Sequence, residues 1–120
     1  MRILLLGSLV ALLGCEEATG PAPMTGDWGG HIAGVVPIRL TLFQNAGNEV
    51  TGFGELIGAT ETLPLAADGF FAAPNLTLSL SAPRFAPTTL RCVVANASAE
   101  CTMNGSGFTD DPLTLYRQER

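Results

Sequence analysis

The sequence contains no lysine, and only one of its 120 residues is a histidine. All six basic residues are arginines, against eleven acidic residues, and the formal net charge is −5. If Arg2 is removed with an N-terminal signal, five arginines remain against eleven acids, a balance of −6. Such a surface repels nucleic-acid phosphates and anionic membrane faces. We therefore predict no nucleic-acid partner.

The residues that build catalytic and metal sites are also scarce. His31 has no Cys-His cluster around it in the sequence that could hold zinc. The oxygen-rich stretch 104–112 lacks the spacing of an EF-hand loop. No nucleophile motif accompanies the serines. We predict no metal site, no cofactor and no enzymatic activity, and we interpret His31 as an ordinary strand residue.

Long apolar runs are absent apart from one near the start of the chain. Ile3 to Leu13 is an eleven-residue apolar segment behind the single charge of Arg2. It is shorter than the roughly 20 residues that a transmembrane helix needs. A short charged region followed by an apolar one is typical of a secretory signal peptide.

The apolar run ends in Leu12-Leu13-Gly14-Cys15. This motif resembles the lipobox of bacterial lipoproteins, a resemblance that covers residues 1–15. It implies a signal peptide over 1–14, a lipidated Cys15 and anchoring in the cell envelope through acyl chains such as palmitate. By the convention of that family, Glu16 favours the outer membrane in a Gram-negative cell. The alternative is an ordinary signal peptide with Cys15 as a free or paired thiol.

Residues 15–25 have no apolar periodicity and contain Pro21 and Pro23, which favour an extended chain. We predict a flexible tether over 15–25 and a folded domain over 26–118.

The rest of the chain shows no helical period but alternates apolar and polar residues with period two, as β-strands do. The predicted strands cover 27–34, 36–44, 49–57, 63–71, 75–81, 88–95, 98–105 and 112–117. Asp68-Gly69 is the strongest hairpin signal. The chain has eight strands if 70–81 is one strand kinked at Pro74, and nine if it is two. We predict an all-β fold, a small antiparallel up-and-down barrel of about eight strands, with a β-sandwich as the alternative.

Cys92 and Cys101 are predicted to form a disulfide. A two-residue turn at Asn96-Ala97 places them directly opposite each other in a non-hydrogen-bonded pair, where Cα atoms come within about 4.5 Å. If Cys15 is lipidated, Cys92 and Cys101 are the two remaining cysteines, and the oxidising cell envelope allows them to pair with each other.

Gly26-Asp27-Trp28 starts the first long strand, and Arg117 ends the last one. This Gly-x-Trp motif with a C-terminal arginine resembles the lipocalins and the wider calycin barrels. The resemblance implies that Trp28 closes one end of an eight-stranded barrel, with Arg117 stacked across it. The alternative is a core tryptophan with an unrelated surface arginine.

Glu55 is a further candidate for ligand contact. With Ala46-Gly47 as a two-residue turn, Glu55 shares the apolar face of Ile38, Leu40 and Leu42, where it could orient a ligand at the barrel mouth. The alternatives are a position at the solvated rim, or a one-residue bulge that turns it to the outside.

The segment Ala82-Pro83-Arg84-Phe85-Ala86-Pro87 places an arginine and an aromatic residue on a loop stiffened by prolines. Both residue types are common in protein-binding hot spots. Alternatively, Phe85 plugs one end of the barrel.

Three functional hypotheses follow for this predicted envelope lipoprotein. The first is non-catalytic carriage of a small apolar ligand inside the barrel, with Trp28 and the inward leucines lining the ligand space. The second is a protein-interaction or protease-inhibitor-like module that acts through loops such as 82–87. The third is a structural envelope protein.

Overall fold

In the computed structural model, residues 23–118 are described, and they form eight strands and no helix. The strands are β1 (Gly26–Ile32), β2 (Val36–Gln44), β3 (Glu49–Ile57), β4 (Thr62–Ala72), β5 (Asn75–Ser81), β6 (Thr88–Ala95), β7 (Ser98–Gly105) and β8 (Phe108–Arg117). The predicted signal peptide, Cys15 and residues 16–22 of the predicted tether lie outside the described residues. Within residues 23–118 there is no helix long and apolar enough to cross a membrane.

The strands form a closed antiparallel barrel in which each strand pairs with its neighbour in sequence. Pairing of β1 with β8 closes the barrel, with Trp28 opposite Arg117 and Gly30 opposite Leu115. The predicted fold class, an up-and-down barrel with eight strands, is confirmed. Closure gives each of the eight described strands a hydrogen-bonded neighbour on both sides, which protects strand edges from pairing with other chains.

Alternation within the strands builds the core. On β2 the side chains of Ile38, Leu40 and Leu42 are buried, whereas Arg39 between them is exposed. On β5 Leu76, Leu78 and Leu80 are buried in the same way. Because successive residues of a strand point to opposite faces, this alternation directs the leucines into the barrel.

The predicted turn at Asp68-Gly69 is wrong. Both residues lie inside β4, opposite Ser79 and Leu78 of β5, and the hairpin turn is formed instead by Ala73 and Pro74. Proline has no N–H to donate to a neighbouring strand, so Pro74 fits a turn better than the interior of a strand. The predicted single strand over 70–81, kinked at Pro74, is therefore two strands joined by a turn. The strand number agrees with the prediction, but the division of residues 62–81 does not.

The predicted disulfide is confirmed. Cys92 and Cys101 are directly opposed on β6 and β7, with Cα atoms 4.0 Å apart. Asn96 at the turn between them has a φ of 57°, in the left-handed region. Both sulfur-bearing residues are buried, so the bridge lies within the barrel.

The two ends of the barrel are built from different turns. One end, called here the closed end, carries residues 23–25 and the turns 45–48, 73–74 and 96–97. The opposite end, called here the cavity end, carries the loops 33–35, 58–61, 82–87 and 106–107. The fold includes residues that we predicted as tether: Met24 is fully buried, so the barrel's packing starts before the predicted boundary at residue 26.

Candidate functional site

The closed end is sealed by the side chains of Trp28 and Arg117 together with the chain that enters β1. Trp28 is fully buried, and its Nε1 donates a hydrogen bond of 3.0 Å to the carbonyl of Met24. The guanidinium carbon of Arg117 lies 4.5 Å from the centroid of the Trp28 ring. Arg117 also donates hydrogen bonds to the carbonyls of Thr25 and Pro23. This network ties the entering chain to the end of the last strand and covers the tryptophan.

The stacking of Arg117 on Trp28 is the contact that the lipocalin resemblance implies. Membership of that family stays a prediction. The prediction that Trp28 lines the ligand space is wrong, because Trp28 is packed under Arg117 at the closed end and does not line the cavity at the other end.

The cavity end contains an apolar cavity of about 240 Å³. Eleven of its thirteen lining residues are apolar, and none carries a charge. The apolar lining residues are Ile32, Ile38, Leu56, Leu63, Leu65, Leu80, Ala82, Phe85, Ala86, Met103 and Phe108. Thr88 and Ser106 complete the lining. Apolar cavities of somewhat smaller volume, about 150 Å³, hold a benzene molecule.

Loop 82–87 places Phe85 at the mouth of this cavity. The N–H of Phe85 donates a hydrogen bond of 3.2 Å to the carbonyl of Ala82, which turns the chain back over the barrel end. Arg84 between them has a φ of 71° and its Nη2 lies 3.7 Å from Oε2 of Glu61. Phe85 is 50% exposed while it lines the cavity, so it faces both the cavity and the solvent.

A bulge at the start of β8 brings Phe108 into the same cavity. Leu113 is buried on the inner face, and an uninterrupted strand would turn Phe108, five residues before it, outward. The pairing with β7 shifts between Met103 and Gly105, where Asp110 has a φ of 47°. The N–H of Asp110 donates to Oδ1 of Asn104 at 2.9 Å. One extra residue in a strand reverses its alternation, and Phe108 therefore reaches the cavity.

The predicted register that turns Glu55 inward is wrong, and the alternative in which a shift of one residue turns it to the outside is the one observed. Glu55 lies opposite Arg39 on the outer wall, and its Oε2 is 3.5 Å from Nη1 of Arg39. Phe53 on the same face is 57% exposed, whereas Gly52 and Gly54 face inward, opposite Leu42 and Leu40. The register differs by one residue from the predicted one because the turn has three residues, with Asn48 at a φ of 66°. Glu55 therefore contributes nothing to the cavity.

A larger depression, of about 1120 Å³, lies on the outer wall over β1. Its floor includes Gly29 and Gly30, and its sides include Tyr116 and Arg39 from the flanking strands. It is more open to solvent than the cavity and has a mixed polar and apolar lining, so it is less suited to a small apolar ligand. The smaller cavity is therefore the better candidate site, despite its volume.

The structure thus separates the predicted site residues into three places. Trp28 and Arg117 seal the closed end, Glu55 lies on the outer wall, and Arg84 and Phe85 border the cavity end. Sequence reasoning missed Phe108 and Thr88. The run Asp110-Asp111-Pro112 was a possible signal for the bulge, since it interrupts the apolar alternation of β8.

His31 is exposed near the end of β1, as expected for a strand residue. Across residues 23–118, no three His, Cys, Asp or Glu side chains are grouped as ligands of a metal ion would be.

Comparison of the chain with protein-family models, with curated proteins and with solved structures gives no match. The structure itself defines a closed eight-stranded antiparallel barrel, stapled by one disulfide and sealed at one end, with an apolar cavity at the other.

Proposed function

We propose that this protein binds a small apolar ligand, without catalysis, in the cavity at the cavity end of its barrel. The observation that carries the proposal is the asymmetry of the barrel interior. Trp28 and Met24 are fully buried at one end, whereas the other end keeps about 240 Å³ of space behind half-exposed Phe85. A barrel of eight strands is wide enough to hold one small ligand.

The size and lining of the cavity define the kind of ligand. Drug-sized ligands occupy pockets of about 300–1,000 Å³, so this cavity suits a smaller molecule, such as one built on a single substituted ring. No charged residue lines the cavity, so an ionised ligand would lose its hydration without gaining a partner. The ligand class is therefore small, uncharged and mainly apolar.

Titration of residues 22–120 with p-xylene, followed by NMR of the backbone amides and by calorimetry, tests this proposal. We expect saturable binding with shifts concentrated at the residues around the cavity. Ala82→Phe should abolish binding, because a benzyl group at the mouth would occupy the cavity that Ala82 lines. Ala66→Phe is the matched control, since Ala66 is exposed on the same barrel, and it should bind as the unaltered protein does. Binding that is absent, or equal in both variants, would refute the proposal.

A second candidate function is protein recognition through loop 82–87. Phe85 is 50% exposed and the side chain of Arg84 is 68% exposed, so both are accessible to a partner. If protein recognition is the function, Ala82→Phe should still capture an envelope protein. The combined variant Arg84→Ala, Phe85→Ala should no longer capture it. The opposite pattern favours the ligand-binding function.

We also propose that Cys15 anchors the barrel to the bacterial envelope through a lipid, and that the tether ends where residues 23–25 join the closed end. The support is the motif Leu12-Leu13-Gly14-Cys15 together with the odd number of cysteines. Cys92 and Cys101 form the disulfide of the barrel, which leaves Cys15 for the lipid. Radiolabelled palmitate should label the full chain in cells, and Cys15→Ala should remove the label. Label that persists in Cys15→Ala would disprove the anchor.

A further inference from the structure

Thr88 is the one polar side chain that is buried within residues 23–118. It is 8% exposed, at the start of β6, directly opposite Leu80 of β5. Both residues line the cavity at the cavity end. The hydroxyl of Thr88 has no hydrogen-bond partner anywhere in the described chain, from residue 23 to residue 118.

An unpaired hydroxyl is unfavourable at a buried position. Removal of such a group from water without a replacement hydrogen bond costs about 1–3 kcal/mol, as mutational data on proteins indicate. Nearly all buried polar groups in folded proteins have a partner, so the exception requires a reason. Because Thr88 borders ligand space, a bound molecule can supply the missing partner.

We infer that the ligand is a small neutral molecule with one hydrogen-bonding group, such as an alcohol, a phenol or a carbonyl compound, and that this group pairs with the Thr88 hydroxyl. The inference rests on the proposed ligand-binding function and specifies its chemistry. The apolar body of the ligand packs against Leu80, Met103 and Phe108, and its polar group lies at Thr88.

The lining excludes a charged head group in place of the neutral one. Arginine and carboxylate side chains are absent from the cavity wall. At the loops that border it, Arg84 and Glu61 are paired with each other at 3.7 Å. A hydroxyl can both donate and accept, so Thr88 matches a neutral alcohol, phenol or carbonyl without a charge change.

The test compares p-cresol with p-xylene, which differ by a hydroxyl in place of one methyl group. Dissociation constants for both are measured by calorimetry on residues 22–120, and the readout is the ratio of the two constants. Thr88→Val replaces the hydroxyl by a methyl group at nearly constant shape. We expect it to weaken p-cresol relative to p-xylene by about fivefold, the value of one neutral hydrogen bond.

Two further variants separate the hydroxyl from simple packing. Thr88→Ser keeps the hydroxyl and should keep the selectivity ratio, whereas Thr77→Val changes an exposed threonine on the outer wall and should leave the ratio unaltered. If both probes bind and Thr88→Val leaves the ratio unchanged, the inference is wrong and the ligand-binding function stands. If neither probe binds the unaltered protein, the ligand-binding function fails and the inference fails with it.

Discussion

Gly69 illustrates two physical reasons for a glycine: it tolerates a left-handed backbone in turns, and it leaves room where two strands approach closely. In sequence, Asp68-Gly69 indicates a hairpin turn, because glycine tolerates the left-handed backbone of such turns. In the structure, Gly69 lies within β4, where the neighbouring strand β5 approaches too closely to admit a side chain. A Cβ placed on Gly69 would lie 1.8 Å from the carbonyl oxygen of Thr77.

Gly69→Ala should therefore lower the free energy of unfolding by about 2 kcal/mol or more, since backbone atoms must move to admit the methyl group. Urea unfolding followed by tryptophan fluorescence measures the change. Gly47→Ala is the matched control, because a Cβ there meets nothing closer than Asn45 Oδ1 at 3.6 Å. Its effect should stay within about 0.5 kcal/mol. Equal effects of the two variants would contradict the close approach at Gly69.

At the scale of the hairpins, the register could be predicted only where the sequence left one possible length for the turn. The hairpin of β6 and β7 was predicted correctly, because two facing cysteines leave little freedom in the pairing. In the hairpin of β2 and β3, the stretch Asn45-Ala46-Gly47-Asn48 is compatible with a turn of either two or three residues. Oδ1 of Asn45 accepts hydrogen bonds from the N–H groups of Gly47 and Glu49, at 2.8 and 2.9 Å. Together with the left-handed Asn48, these bonds set the longer turn.

That one-residue difference determines which side of the wall each residue of β3 occupies. Val50 and Leu56 face inward, whereas Glu55 pairs with Arg39 outside. The alternation of β3 alone could not show this, because Gly52 and Gly54 leave its inner face with few side chains to recognise. The positions of β2, which carries three large aliphatic residues at every second position, were predictable for the opposite reason.

In the whole molecule, the seal at the closed end and the cavity at the opposite end form two separate sites. Arg117 stabilises the seal through its stacking on Trp28 and its hydrogen bonds to the entering chain, and it does not line the cavity. A cation stacked on an aromatic ring contributes about 0.5–2 kcal/mol. Stability and ligand affinity should therefore respond to different substitutions.

Arg117→Ala should lower the free energy of unfolding by about 1–3 kcal/mol, from the lost stacking and hydrogen bonds. The dissociation constant for p-xylene should stay within about twofold of its original value. Arg91→Ala, at an exposed arginine of the outer wall, should change stability by less than about 0.5 kcal/mol. A marked loss of ligand affinity in Arg117→Ala would show that the two ends are coupled.

The sequence by itself determined the strand-rich class of this protein, the facing cysteines and the alternation that directs leucines inward. These properties depend on residues that are neighbours along the chain or across one turn. Only the tertiary structure decided the register of β3, the bulge that turns Phe108 inward, which end of the barrel is open and the burial of Thr88. Those properties depend on closure of all eight strands, which brings together side chains far apart in sequence and leaves a space that no local pattern describes.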